Sequence, residues 1–142
     1  EQPLNIAFDP RSNRLFITDQ GLESVRTYQA KSIPGFQSRH PGNRVLVLDA
    51  QTGRQLHSIP TAAGPMGILL DSARQRLYVT EREAGVVGVY DSNSYAPLQT
   101  VSLPTHPNSL ALDPRGNVVY VSIKNGKVDP KGSPEGVARL AF

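Results

Sequence analysis

Short apolar runs of strand length recur along the chain, and turn-forming residues separate them. The clearest set lies in residues 65–107, where GILLD, RLYVT, VVGVYD and PLQTVSL follow one another. Each run is rich in Val, Ile, Leu, Tyr or Thr and is flanked by residues that favour turns. This pattern is typical of β-strands in a meander and predicts a four-stranded antiparallel unit.

The same unit occurs again on both sides of this segment. The second-strand runs at 77–80 (LYVT) and 119–122 (VYVS) are 42 positions apart, whereas the run at 15–18 (LFIT) lies 62 positions before the first of them. Asp49 and Asp91 are again 42 apart, which places the extra 20 residues between the second and third strands. Four-stranded units with this period indicate the blades of a β-propeller.

The repeat predicts an all-β chain that forms one partial β-propeller over residues 1–142. The predicted blades are 3–63 with an insertion at 19–44, 64–105, and an incomplete blade at 106–142 that lacks its outer strand. This amounts to roughly 2.75 blades, whereas closed propellers typically have 4–8.

The spacing of apolar residues also predicts strand positions within each blade. Apolar residues occur alternately or continuously, never at helical spacing, so no helix is predicted. The first strands (NIAFD, GILLD and SLALD) are nearly continuous apolar runs. Such runs suit strands that are buried on both faces, nearest the propeller axis.

An open set of blades has two flat faces without a neighbouring blade. We expect apolar residues such as Phe8, Phe16, Tyr120 and Val121 to be exposed on these faces. Because apolar patches and open strand edges drive association, the sequence predicts a partner that completes the ring. The remaining blades could come from a missing chain segment, from a second chain or from self-association.

The second-strand runs RLFIT, RLYVT and VVYVS, the Gly64-Pro65 pair and the third-strand run VLVLD resemble the YVTN-repeat (YncE-like) β-propeller family. The stretch at 103–124 is similar to the last blade of that family. The resemblance implies the C-terminal blades of a seven-bladed ring, within the roughly 4–8 blades of known propellers. It also implies a periplasmic or secreted protein.

Two long loops are predicted on one face of the propeller. The segments 19–44 and 124–135 both join second to third strands. In an antiparallel blade that loop opens on the same face as the connections to the next blade, here 60–65 and 104–107. Long loops on a rigid scaffold commonly carry function, so this rim is the candidate site.

Basic and aromatic residues of this rim form the candidate ligand-binding set. Cations can track phosphates while aromatic rings stack on bases, which is the chemistry of a surface for single-stranded DNA. The same groups suit another anionic ligand, and the structural alternative is solvated loop charges with rings that anchor the loops. The candidate residues are Arg26, Tyr28, Lys31, Phe36, Arg39, His40, Arg44, His106, Asn108, Lys124 and Lys127.

Composition restricts the chemistry. The chain has no cysteine, which excludes disulfides and thiolate metal sites. HExxH, GxSxG and Cys/His clusters do not occur, so no catalytic residue, metal or cofactor is predicted. No apolar run approaches the length of about 18 residues that a membrane-spanning helix needs.

The sequence therefore favours a non-catalytic binding or scaffold protein of the cell envelope, with an anionic partner such as single-stranded DNA at the basic rim. One alternative is a fragment of a propeller enzyme or electron-transfer subunit whose active site is completed by missing blades. A purely structural propeller for protein–protein contacts is a third reading. Fold alone does not decide between them.

Overall fold

The computed structural model describes residues 1–104 and 106–142. Thr105, at the end of the second predicted blade and within the predicted connection 104–107, lies outside the described residues. The described chain forms three antiparallel sheets, named blades 1 to 3, and one helix, α1 (Glu23–Ser32). The strands are β1 (Pro3–Asp9), β2 (Arg14–Asp19), β3 (Arg44–Asp49) and β4 (Gln55–Pro60) in blade 1; β5 (Pro65–Asp71), β6 (Arg76–Glu81), β7 (Val86–Asp91) and β8 (Pro97–Ser102) in blade 2; and β9 (His106–Asp113), β10 (Val118–Lys124) and β11 (Gly136–Ala141) in blade 3.

Each sheet is a meander, and each later blade packs its first strand against the blade before it. Strand β5 contacts β1 and β2, and β9 contacts β5 and β6. Consecutive antiparallel blades stacked in this way form a β-propeller, which confirms the predicted all-β fold. In the described residues blade 3 has three strands in the order β11-β10-β9.

The core lies between the blades rather than within them. Strand alternation directs Leu77 and Val79 of β6 towards blade 1 and Tyr78 towards blade 3. All three side chains are completely buried. Burying an apolar side chain of this size stabilises the folded state by about 1.5–3 kcal/mol. These interfaces therefore hold the blades in fixed positions beneath the rim.

The prediction that no helix occurs is wrong. Helix α1 lies in the insertion between β2 and β3, and none of its residues is buried. It therefore lacks the apolar stripe by which a helix is recognised in sequence. Glu23 in its first turn and Lys31 in its last turn complement the helix dipole.

The two open faces carry only some of the residues predicted there. Phe8 is 52% exposed and Tyr120 is 39% exposed, but Phe16 and Val121 are completely buried. Phe16 and Val121 both point towards blade 2. Because side chains alternate between the two faces of a strand, these two residues lie on the faces that blade 2 covers and not on the open ones. Strand β1 is exposed along most of its length, so the prediction of first strands buried on both faces is wrong for this strand.

Candidate functional site

The two insertions approach each other on one rim of the propeller and enclose a pocket of about 700 Å³. The turn between β6 and β7 forms the wall between them. Met66, Arg82 and Glu83 belong to blade 2, and the other lining residues belong to blades 1 and 3. The lining residues are Gln20, Leu22, Ser24, Met66, Arg82, Glu83, His106, Asn125, Gly126, Lys127 and Val128.

The repeat places polar side chains around this pocket at the end of each second strand. Gln20, Arg82 and Lys124 directly follow or end β2, β6 and β10 and are separated by 62 and 42 positions. Because these residues occupy equivalent positions in the repeat, all three lie on the same rim. Gln20 and Arg82 line the pocket directly, whereas Lys124 does not.

Arg82 lies at the seam between blades 2 and 3 and was not among the predicted site residues. Its Nη1 is 3.4 Å from the Asn108 Oδ1 atom and 3.7 Å from the Met66 Sδ atom. Asn108 thus contacts the pocket wall through Arg82 rather than lining the pocket itself. The repeat spacing from Arg82 to Lys124 is the signal that could have identified Arg82.

His106 lines the pocket beside the second insertion. Its Nδ1 atom lies 3.8 Å from the Asp129 Oδ2 atom. Asp129 also accepts a hydrogen bond from the amide of Gly126. A Cβ at Gly126 would lie 1.8 Å from the imidazole Cε1 atom, so the loop can follow the ring this closely only with glycine.

Arg26 is engaged within the first insertion. Its guanidinium donates hydrogen bonds to the carbonyl oxygens of Gly21, His40 and Pro41. It also forms an ion pair with Glu23 at 3.0 Å. These contacts connect α1 to the two ends of the insertion, which gives Arg26 a positioning role.

Arg44 is engaged at the base of the same insertion. Its Nε donates to the Asp19 Oδ2 atom at 2.8 Å, and the Asp19 side chain is 1% exposed. Burial opposes ionisation of Asp19. Hydrogen bonds from the amide of Gln2 and from Arg44 outweigh burial, and the pKa of Asp19 is lowered.

Lys124 and His40 also have internal partners. The Lys124 Nζ atom lies 2.5 Å from the Glu135 Oε2 atom. The hydrogen bond from Lys124, followed by that from the amide of Asn125, lowers the pKa of Glu135. The Nδ1 atom of His40 accepts the amide hydrogen of Gly42 at 3.0 Å.

The remaining predicted residues lie along α1 and the segment that follows it. A smaller hollow of about 380 Å³ is lined by Arg26, Lys31 and Phe36. Tyr28, which lines neither cavity, is 69% exposed, and Arg39 is exposed as well. The structure thus divides the predicted set between the main pocket, the α1 hollow and the internal contacts of the insertions.

A buried carboxyl group lies close to the rim at the repeat position of Asp19. Glu81 is 2% exposed and accepts hydrogen bonds from the Tyr90 hydroxyl at 2.6 Å and from the Ala62 amide at 3.2 Å. Burial raises the pKa of Glu81, and these hydrogen bonds only partly offset it. Unlike Asp19, Glu81 forms no ion pair within the described residues.

Within residues 1–104 and 106–142, no three His, Cys, Asp or Glu side chains are grouped so that they could hold a metal ion. Helix α1 is too short and too polar to cross a membrane, and no other helix of the described chain is a candidate.

The blades and the rim define a segment of a β-propeller protein. Its sequence is 35% identical to the uncharacterized protein YncE of Escherichia coli strain K12 over 141 residues. It is 32% identical to the protein of the same name from Salmonella typhimurium strain LT2. The resemblance to YncE-like propellers predicted from the repeats is therefore confirmed.

The chain covers 98% of its own length in these alignments but only 34% of each relative. It thus spans about a third of the length of the curated relatives it matches. No family model matches the chain. Among solved structures, hydrazine synthase from Kuenenia stuttgartiensis superposes with a TM-score of 0.64 over 85% of this chain and 29% of that chain. At 21% identity this likeness shows the shared fold alone.

Proposed function

We propose that the chain belongs to a non-catalytic β-propeller binding protein of the cell envelope, and that its loop-bearing rim contacts an anionic partner. The observation that carries this proposal is the pocket between the two insertions, which Arg82 and Lys127 line together. Among the residues that the structure describes, no carboxylate lies within ion-pair distance of either cation. After Lys124 and the Asn125 amide, the charge of Arg82 also helps to lower the pKa of Glu135, and Glu83 lines the same pocket. Cations that are not held in a close ion pair can bind phosphate or carboxylate groups.

The internal contacts of the insertions sharpen this proposal. Arg26, Arg44 and Lys124 are each held by a carboxylate of the same chain. The cationic charge that faces a ligand therefore comes from Arg82 and Lys127, with exposed lysine and arginine side chains further out on the first insertion. The two cations in the pocket form a compact anion site with further basic side chains outside it, rather than a uniform basic surface.

Single-stranded DNA is the partner whose chemistry uses the charges and the aromatic residues together. Its phosphates suit Arg82 and Lys127, and its bases can stack on an exposed ring such as that of Tyr28, which is 69% exposed. The placement in the cell envelope rests on the family resemblance. The rim geometry does not depend on it.

The test is a fluorescence-anisotropy titration of the chain with a labelled single-stranded oligonucleotide. Lys127→Ala removes a cation that lines the pocket, and Lys131→Ala removes an exposed lysine of the same insertion that does not. We expect Lys127→Ala to weaken binding several-fold and Lys131→Ala to leave it nearly unchanged. Equal effects of both variants, or none for Lys127→Ala, would refute the pocket as the site.

The alternative function, a segment of a propeller enzyme or electron-transfer subunit, has one observation in its favour. His106 lines the pocket and its Nδ1 atom lies 3.8 Å from the Asp129 carboxylate, and an imidazole beside a carboxylate is suited to proton transfer. The binding function and the enzyme function are distinguished by the side chains that the remaining blades of the ring place at the channel mouth. Polar or metal-binding side chains converging on His106 there would favour the enzyme.

A further inference from the structure

We propose that Asn125 and Gly126 form a self-modifying site in the second insertion, where the chain converts the Asn125 amide into a carboxylate without an enzyme. The new carboxylate then lies in the rim pocket that holds Arg82 and Lys127. The reaction itself needs no ligand, whereas its effect on anion binding rests on the proposed function.

The covalent structure of this dipeptide brings the two reacting groups together. Asn125 is the asparagine of this chain that is followed by glycine. A bond between the Gly126 amide nitrogen and the Asn125 Cγ atom closes a five-membered ring, so the attack is intramolecular and avoids the entropic cost of bringing two molecules together. Glycine has no side chain to hinder the ring, and its backbone reaches conformations that other residues avoid.

The packing of the pocket keeps glycine at this position. A Cβ at Gly126 would lie 1.8 Å from the Cε1 atom and 2.3 Å from the Nδ1 atom of His106. The imidazole therefore leaves no room for a larger residue beside Asn125. The dipeptide that favours ring closure is thus also the one that this loop can accommodate.

A base lies at the proton that must leave. A peptide nitrogen is a poor nucleophile until it loses its proton, and a base must lie within hydrogen-bond reach of the proton that it takes. The Oδ2 atom of Asp129 accepts the amide hydrogen of Gly126. An ionised carboxylate can only accept hydrogen bonds, which suits it to this transfer.

The electrophile is held in place by the same insertion. The Nδ2 atom of Asn125 donates to the carbonyl oxygen of Ser133 at 2.5 Å. The backbone amide of Asn125 donates to the Glu135 Oε1 atom at 3.2 Å. These two contacts fix both the backbone and the side chain of Asn125, so its amide group stays beside the nitrogen that attacks it.

The reaction proceeds in two steps. The Gly126 nitrogen gives its proton to Asp129 and forms a bond to the Asn125 Cγ atom. The bond between Cγ and Nδ2 then breaks, and ammonia leaves with the proton that Asp129 had taken, so that a cyclic imide remains. Water opens the imide at either carbonyl and turns residue 125 into aspartate or isoaspartate, with no oxidant or reductant consumed.

The product changes the charge of the rim pocket. Asn125, Arg82 and Lys127 all line it. A carboxylate at position 125 gives these cations a partner within the chain, and charge-assisted hydrogen bonds are among the stronger ones. An external anion must then compete with this internal one, so the pocket loses affinity for anions as the chain ages.

The experiment follows the folded chain during incubation at neutral pH and physiological temperature. Peptide mass spectrometry measures the conversion of each asparagine, and an isoaspartyl methyltransferase used as a reagent detects isoaspartate. Asn93 and Asn108, each followed by serine, are internal references. We expect residue 125 to be converted several-fold faster than either of them.

Two variants test the base. Asp129→Asn keeps an oxygen that accepts the Gly126 amide hydrogen but cannot take the proton, so the folded variant should react several-fold more slowly than the wild type. In urea the two chains should react at the same rate, because Asp129 is no longer held at Gly126. Glu135→Gln is the control, because Glu135 contacts Asn125 and Lys124 but not the Gly126 amide. It should not slow the reaction.

The sign of the effect distinguishes a base from a structural contact. If Asp129 only holds the loop, Asp129→Asn loosens it and the folded chain reacts as fast as the wild type or faster, which would overturn the proposal. Conversion at Asn125 no faster than at Asn93 and Asn108 would overturn it as well.

The effect on the pocket is measured separately with Asn125→Asp, which carries the product charge. We expect this variant to bind a labelled single-stranded oligonucleotide several-fold more weakly than the wild type, and equal binding would contradict the proposed effect. A wild-type chain that modifies itself but binds no oligonucleotide would contradict the proposed function alone. A chain that binds but stays unmodified would contradict the self-modifying site alone.

Discussion

The hydroxyl group of Thr80 joins two blades through a pair of hydrogen bonds. It accepts the amide hydrogen of Gly67 at 2.7 Å and donates to the carbonyl oxygen of Asn108 at 2.8 Å. Thr18 makes the matching contacts between blades 1 and 2. In blades 1 and 2 the hydroxyl near the end of the second strand therefore links its own first strand to the first strand of the next blade.

Replacing Thr80 by valine should destabilise the chain. The substitution keeps the shape of the side chain but leaves the Gly67 amide and the Asn108 carbonyl without their buried partner, at a cost of about 1–3 kcal/mol. Urea unfolding at one fixed protein concentration measures the change. Thr100→Val, at an exposed position of β8, is the control and should be nearly neutral. Equal stability of both variants would show that Thr80 does not link the blades.

Glycine at position 42 should be required for closing the base of the first insertion. Gly42 has a φ of +78°, and a Cβ there would lie 2.2 Å from the Gly21 Cα atom. Gly42→Ala should therefore cost more than the roughly 1–2 kcal/mol of a left-handed alanine alone. Gly53→Ala is matched, because Gly53 has a φ of +71° with no atom near the added Cβ. If the two variants lose equal stability in thermal unfolding, the close approach of the two glycines contributes nothing.

Glu81 should make the chain less stable as the pH rises. Because burial raises its pKa in the folded state, the unfolded chain releases this proton first. The contribution is therefore fully present below the unfolded pKa and is lost as the pH rises through the folded pKa. In Glu81→Gln this dependence should disappear, so the stability of the variant relative to the wild type should increase with pH. Parallel pH curves from urea unfolding would contradict this assignment.

Asp19 should show the opposite trend. Its pKa is lowered in the folded state, so its contribution is present above the unfolded pKa and is lost as the pH falls through the folded pKa. Asp19→Asn should cost about 3 kcal/mol at neutral pH, because Arg44 loses its partner, and less in acid. Glu23→Gln removes an exposed ion pair and should cost about 0–1 kcal/mol. Equal losses at both pH values for Asp19→Asn would rule out the ion pair as the cause.

The strands could be predicted because the same pattern of apolar and turn-forming residues occurs in each repeat. The matching runs at 77–80 and 119–122 occupy equivalent positions in the repeat. A shift of one residue in the pairing of such a strand would turn its buried side chains towards solvent. Helix α1 could not be predicted in this way. It buries no residue, so it has no hydrophobic period to detect.

The candidate site could be predicted only as a region. Charge in the two insertions indicated the rim, but the sequence does not show that Arg26 and Arg44 turn inwards to partners in their own insertion. Those partners are brought close by the fold rather than by sequence spacing. Arg82 was missed because it lies in a short turn, although its repeat position matches Lys124.

The most direct test of a rim that binds anions is the salt dependence of single-stranded DNA binding by the unchanged chain. Each phosphate contact releases counterions, so the logarithm of affinity should fall linearly with the logarithm of salt, with a slope of about −0.7 per contact. With Arg82 and Lys127 in the pocket, we expect a clearly negative slope. Binding that does not change with salt, or no binding at low salt, would contradict the proposed function.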